Sequence, residues 1–168
     1  VFVRIDRRRK LPATVLLRAL GYSSQEILEL FFDNDTFHVD EDGFRLELIP
    51  SRLRGETAQF EIQDGKGNVI VEESARITAR HIREIDKAGL TSLNVPVEYV
   101  CGHVTAEDVV DAETGEILLP CNTLVTEEVL EKIREFGLES FDTIYTNDLD
   151  CGPFISDTLN VDPSTNRL

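Results

Sequence analysis

Alternating hydrophobic and polar positions predict a strand-rich central region in this chain. The alternating stretches are residues 37–39, 44–48 and 58–62. A period of two is typical of strands with one buried face. The first two stretches flank the acidic turn sequence at 40–43, which predicts a β-hairpin. A second turn at 64–68 leads into the apolar residues 69–71, so this region is expected to hold few, short helices.

The N-terminal residues carry signals for a strand and two short helices. Residues 1–5 are mostly apolar and suit a strand, and Pro12 is compatible with the first turn of a helix that closes at Gly21. Ser23 followed by Glu26 has the spacing of a capping box and predicts the start of a second helix. The two helices form a predicted hairpin whose apolar face must dock either on the C-terminal residues or on something outside the chain.

The central region also repeats itself. A shift of 48 residues superimposes identical residues, among them Gly67 on Gly115, Thr78 on Thr126, Ile85 on Ile133, Gly89 on Gly137 and Ser92 on Ser140. Each unit has the order glycine turn, strand, Thr-capped helix, glycine C-cap and strand. We therefore predict an α+β fold with a twofold strand–helix–strand repeat. A chance likeness between two strand–helix–strand units is the alternative.

The charge is unevenly distributed along the chain. The formal net charge is -15, yet residues 1–31 carry six Lys/Arg against three Asp/Glu, and residues 7–10 are four consecutive cations. Adjacent cations repel one another, so this basic run calls for an anionic partner such as phosphate; a solvated charged loop is the alternative. Residues 32–150 carry ten Lys/Arg and twenty-seven Asp/Glu, so their partner should be a basic protein rather than DNA.

No catalytic or metal-binding constellation is visible in the sequence. The three cysteines lack Cys-x-x-Cys spacing and suit reduced thiols of the cytoplasm, and the three histidines have no ligand spacing. Paired acids leave a small hydrolase as one hypothesis, but adjacent acids are normally solvated. We predict no catalytic residue, no metal ligand and no membrane span, since no apolar run approaches about 20 residues.

Four stretches, in order, resemble the lobe domain of the bacterial RNA polymerase β subunit. They are residues 2–14 (FVRIDRRRKLPAT), 52–58 (RLRGETA), 76–83 (RITARHIR) and 146–159, which includes TNDLD and GPFISDTL. The resemblance covers essentially the whole chain. It implies a lobe segment at 1–31, an inserted α+β domain at 32–150 and a return segment of the lobe at 151–168.

The resemblance also implies a role without catalysis of its own. The lobe borders downstream DNA, so Arg7, Arg9 and Lys10 are expected to contact phosphates, and Asp6 to orient an arginine or meet a base. The implied partners are the α, β′, ω and σ subunits, and the implied location is the cytoplasm. No cofactor is expected in this segment, because the magnesium of the polymerase is bound by the other large subunit.

For the insertion, the resemblance suggests a docking surface for coiled-coil regulators of the DksA type. Glu127, Glu128 and Glu131, at the start of the second repeat helix, are the predicted contact residues, and simple solubility is the alternative role for these acids. A competing hypothesis from another class is a free-standing acidic protein-interaction module. The two differ in whether the reading frame continues into a much longer subunit.

Overall fold

The computed structural model describes residues 1–4, 10–146 and 152–162 of the chain. Within these residues the protein is a mixture of short helices and antiparallel strands, which confirms the predicted α+β class. The helices are α1 (Ala13–Ala19), α2 (Ser24–Phe31), α3 (Pro50–Leu53), α4 (Ala79–Lys87), α5 (Val97–Val100), α6 (Glu127–Glu135) and α7 (Phe154–Val161). The strands are β1 (Phe2–Arg4), β2 (Lys10–Pro12), β3 (Asn34–Val39), β4 (Phe44–Glu47), β5 (Ile62–Gln63), β6 (Val69–Val71), β7 (Ser92–Val95), β8 (Val109–Val110), β9 (Ile117–Leu119) and β10 (Ser140–Ile144).

The largest sheet has four strands in the order β10-β3-β4-β7. Strands β3 and β4 form the hairpin predicted around residues 40–43, with Phe37 opposite Leu46. Strand β7 pairs with β4 on its other side and places Val95 opposite Phe44. Three two-stranded ribbons, β1-β2, β5-β6 and β8-β9, complete the strand pairing of the described residues.

Residue contacts divide the chain into two compact units. Unit 1 comprises residues 1–35, 103–124 and 142–168, and unit 2 comprises residues 36–102 and 125–141. Both chain ends therefore fall in one unit, together with residues 103–124, which the sequence had grouped with the central body. The assignment of residues 1–31 and 151–168 to a polymerase lobe stays a prediction.

The core of unit 1 explains why residues 103–124 belong with the chain ends. Ile27 and Leu28 of α2 are fully buried and form one cluster with Ile155 and Leu159 of α7. Ala106, which is 2% exposed, lies in the same cluster. Each large aliphatic side chain removed from water in this way contributes about 1.5–3 kcal/mol. The apolar face of the predicted helical hairpin is thus covered by α7 and by residues from the middle of the chain.

Local signals fix the start of α2 as the sequence indicated. The Ser23 hydroxyl accepts a hydrogen bond from the Glu26 N–H (3.2 Å), and the Ser23 N–H donates to Glu26 Oε2 (2.6 Å). This reciprocal capping satisfies the backbone N–H groups of Ser23 and Glu26, which have no partner within the helix. Gly21, at φ 100°, makes the turn between α1 and α2, a conformation that disfavours any residue with a Cβ atom.

The core of unit 2 is built on α4. Ile85 is fully buried in a cluster whose other buried members are Ala58, Ile62, Val71, Ile77 and Leu93. The helix has only nine residues, and a helix this short is unstable in water without packing. Thr78 is its N-cap, and the Thr78 N–H donates to Nδ1 of His81 (3.0 Å). Burial of Ile85 therefore holds α4 in place.

The two stretches with related sequence contain the same elements at the same spacing. Val69 and Ile117, Ala79 and Glu127, and Ser92 and Ser140 begin equivalent strands and helices 48 residues apart. The two non-glycine residues with positive φ in the described chain are also 48 apart, Ser74 at 68° and Asn122 at 59°. Each follows the second strand of a short ribbon, where the backbone turns toward the N-cap threonine of the next helix.

Three helices form where no clear signal was found in the sequence. Helices α3 and α5 are single turns of four residues, too short for a detectable apolar period. Helix α7 forms where only a return segment before a turn was expected; it carries Ser156 and Thr158, which are poor helix formers, on buried positions. The strand expected over residues 58–62 is limited to β5, and residue 57 makes only an isolated bridge.

Candidate functional site

The N-terminal ribbon ends in two cations that lie opposite each other. Strands β1 and β2 are antiparallel, and their register pairs Arg4, the last residue of β1, with Lys10, the first residue of β2. Both residues are exposed. The Lys10 ammonium lies 4.8 Å from the centre of the Phe2 ring, a cation–π contact that holds one of the two charges in place. Of the predicted DNA contacts, Lys10 belongs to this ribbon, whereas Asp6, Arg7 and Arg9 lie outside the described residues.

The base of the ribbon is tied to α1 and α7. The Ala13 N–H donates to the Val1 carbonyl (3.0 Å), and strand β2 lies close to both α1 and α7. Arg18 of α1 pairs with Asp162 at the end of α7 (3.2 Å), where the carboxylate side chain is fully buried. The ribbon is therefore anchored on the helices of unit 1.

The register adds a cation that the sequence analysis overlooked. Arg4 was counted as part of an apolar strand, yet it faces Lys10 across the ribbon. Like charges directly opposite each other on paired strands are destabilising. With residues 7–9 between them in the chain, Arg4 and Lys10 belong to a run of seven residues that contains five cations. Such a cluster is chemically suited to bind a polyanion.

The predicted regulator-docking residues form an acidic surface at the start of α6. Glu127, Glu128 and Glu131 are all exposed, and the first two lie in the first helical turn. Carboxylates at this position interact favourably with the helix dipole, which offsets part of their mutual repulsion. Loss of solvent around Cys101, together with the charges of Glu127 and Glu98, raises the pKa of the Cys101 thiol. Glu98 therefore belongs to the same negative field.

A cleft in unit 2 is lined by residues close in sequence to the β5-β6 ribbon. It has a volume of about 390 Å³, and its centre is formed by Phe60 and Tyr99, whose rings meet edge to face at 4.8 Å. Both rings are half-buried. The surrounding residues are exposed and mostly acidic or polar: Gln59, Glu61, Glu73, Pro96 and Glu98. An aromatic centre with carboxylates around it is suited to bind a cationic side chain.

Two of the paired acids, Glu107 and Asp108, interact with neighbouring residues of unit 1. Desolvation raises the pKa of Glu107, and the charges of Asp142 and Glu29 raise it further. Cys121 is held protonated, because burial and the neighbouring Asp108 raise its pKa to about 12. The Asp108 carboxylate accepts the Cys121 N–H (2.7 Å), which is a structural role. No group of three or more His, Cys, Asp and Glu side chains suited to a metal occurs in residues 1–4, 10–146 and 152–162.

The histidines of unit 2 have structural partners. His38 lies 3.5 Å from a carboxylate oxygen of Glu47, and His81 caps α4.

None of the described helices is long and apolar enough to cross a membrane. No protein-family model matches the chain.

Proposed function

We propose that this chain is a non-catalytic part of the bacterial RNA polymerase β subunit, in which the N-terminal ribbon borders downstream DNA. The proposal rests on the four ordered stretches that resemble the lobe domain. It is supported by the exposed pair Arg4 and Lys10, which lie opposite each other on the ribbon; Arg7 and Arg9 fall between them in the sequence. Cations of this kind contact the phosphate backbone without reading sequence.

In this proposal the chain has no cofactor of its own and works in the cytoplasm within a larger assembly. The other polymerase subunits, α, β′, ω and σ, are its partners, and the catalytic magnesium is bound elsewhere in that assembly. Asp6 keeps the role given to it by the resemblance, which is to orient a neighbouring arginine or to meet a base.

The test is made in the intact polymerase. Arg7→Ala combined with Arg9→Ala removes two phosphate contacts, so open-complex lifetime should fall and the slope of log K against log salt should decrease by about two units. The matched control is Arg80→Ala with Arg83→Ala, which removes the same charge from exposed positions on α4. The proposal fails if both pairs of substitutions have the same effect, or if neither changes the salt dependence.

We propose further that residues 57–95 and 104–143 are two copies of one hairpin–helix–strand unit. In both, an aspartate opens the turn: Asp64 Oδ1 accepts the Lys66 N–H, and Asp111 Oδ1 accepts the Glu113 N–H, each at 2.8 Å. The offset is 47 residues before this turn and 48 after it, because the second turn has one extra residue. An experimental structure in which the two ranges do not superpose would refute the duplication.

The acidic surface of α6 is proposed as a docking site for regulators of the DksA type. Charge reversal at Glu127 and Glu128 should reduce crosslinking of such a regulator to the polymerase. Glu113→Lys with Glu116→Lys is the control, because both positions are exposed in the β8-β9 turn. Equal crosslinking in all three proteins would leave these acids a role in solubility.

The strongly acidic composition of residues 32–150 favours one alternative, a free-standing acidic protein-interaction module. The two proposals differ in the gene: a β subunit requires a reading frame that continues on both sides into a chain of much greater length. A frame that starts and stops close to these residues would support the module.

A further inference from the structure

The two proposed copies differ in what covers the residues that flank their short ribbons. In the first copy, residues 59–61 and 73, which precede and follow the β5-β6 ribbon in sequence, line the cleft that holds Phe60. The proposed alignment identifies the matching positions in the second copy. Gln59, Phe60, Glu61 and Glu73 of the cleft correspond to Ala106, Glu107, Asp108 and Cys121. Pro96 and Ile144, each one residue beyond its copy, correspond by the same offset of 48.

In the second copy, every one of these matching positions lies against a helix or beside its charges. Ala106 and Ile144 are buried in the cluster formed with α2 and α7, and Cys121 packs against that cluster. The Asp108 N–H donates to Gln25 Oε1 of α2 (3.1 Å). Glu29 of α2 is one of the charges that raise the pKa of Glu107.

A hydrogen-bonded residue marks the same difference. Asn122, at the positive-φ position of the second copy, donates to the Ser156 carbonyl (3.2 Å) and to Asn160 Oδ1 (3.1 Å), both on α7. Its counterpart in the first copy, Ser74, has the same backbone conformation and is exposed. The residues that flank the ribbon of the second copy thus pack against helices α2 and α7, whereas the matching residues of the first copy line a cleft.

The charge of the cleft defines the occupant. Where the second copy has Ala106 and Cys121, the first has Gln59 and Glu73, and Glu61 and Glu98 add two further carboxylates. The ion pairs seen among the described residues involve none of these three glutamates. A helix seated on Phe60 and Tyr99 would need a small apolar contact face with lysine or arginine on its flanks.

We propose that this cleft is a docking site for a basic amphipathic helix of another protein. The aromatic pair receives the apolar face of that helix, and the glutamates at the edge pair with its flanking cations. That the partner is helical is inferred from the proposed duplication. The inference does not require this chain to be part of a polymerase. Glu98 shares a negative field with the start of α6, but Glu127, Glu128 and Glu131 are not among the residues that line the cleft.

The test measures peptide binding to the full chain by fluorescence polarisation. The probe is a labelled amphipathic peptide of leucine and lysine, about 18 residues long so that it is helical. Two comparison peptides are measured in the same way. One has glutamate in place of lysine, and the other has a central proline that breaks the helix. Glu73→Lys with Glu98→Lys should weaken binding of the lysine peptide about tenfold, because each change replaces an attraction with a repulsion.

The control variant, Glu113→Lys with Glu116→Lys, makes the same change in net charge far from the cleft in sequence and should alter the affinity by less than about twofold. Circular dichroism confirms that both variants are folded. Equal weakening in the two variants, or no binding at about 1 mM peptide, would overturn the proposal. Equal affinity for the peptide with the central proline would refute the claim that the partner binds as a helix. The duplication is tested separately, by an experimental structure, so its failure can be distinguished from a failure of peptide binding.

Discussion

Replacement of Ile85 by alanine tests whether α4 is held by its single fully buried side chain. Ile85 is 0% exposed and lies among the buried residues Ile62, Val71, Ile77 and Leu93. The substitution removes three carbon atoms, which at about 0.8 kcal/mol each gives a transfer loss of about 2.4 kcal/mol. A cavity that does not collapse adds roughly 1–2 kcal/mol. The expected loss of unfolding free energy is therefore about 3.4–4.4 kcal/mol.

The assay is urea unfolding followed by far-ultraviolet circular dichroism, with the urea dependence of the free energy compared between proteins. Ile117→Ala is the matched control, because it is the same chemical change at a side chain that is 53% exposed on β9. We expect the control to lose less than about 1 kcal/mol. Equal losses in the two variants would refute the reasoning, since they would show that burial of Ile85 does not stabilise unit 2.

Two further predictions concern charged side chains. Arg18→Ala should destabilise unit 1 by about 2–4 kcal/mol in thermal unfolding, because the fully buried carboxylate of Asp162 loses a cationic partner. The control, Arg80→Ala at an exposed position, should cost less than about 0.5 kcal/mol. Equal costs in the two variants would contradict this prediction. Hydrogen bonds from the side chain and backbone of Asn68 lower the pKa of Asp64, so its stabilising contribution is present above the unfolded pKa of about 3.9 and is lost as the pH falls through the lower folded value. Asp64→Asn should therefore reduce the difference in melting temperature between pH 6 and pH 3, and an unchanged difference would argue against this role.

Local backbone signals in the sequence predicted local structure well. The capping box at Ser23 and Glu26, the hairpin turn at 40–43 and the helix that follows Thr126 all form where they were expected. These features depend on neighbouring residues alone, since a cap or a turn is decided by groups within four positions along the chain.

Long-range packing was the part that the sequence did not reveal. Ala106 and Cys121 carry no pattern that distinguishes burial against α2 and α7 from burial within the central body. The cleft around Phe60 was missed for a related reason, because period-two alternation predicts a packed strand and gives no sign that its partner surface is open. The pairing of Arg4 with Lys10 could have been found, since a hairpin drawn with residues 5–9 as its connection brings them together.

The order of assembly during synthesis follows from the way unit 1 is put together. Ile27 and Leu28 are made early, but Ile155 and Leu159, which complete their cluster, leave the ribosome more than a hundred residues later. The nascent N-terminal helices must therefore wait for α7 to emerge before their buried cluster is complete. Residues 57–95 have no such wait, because the cluster around Ile85 draws only on residues made within a short interval.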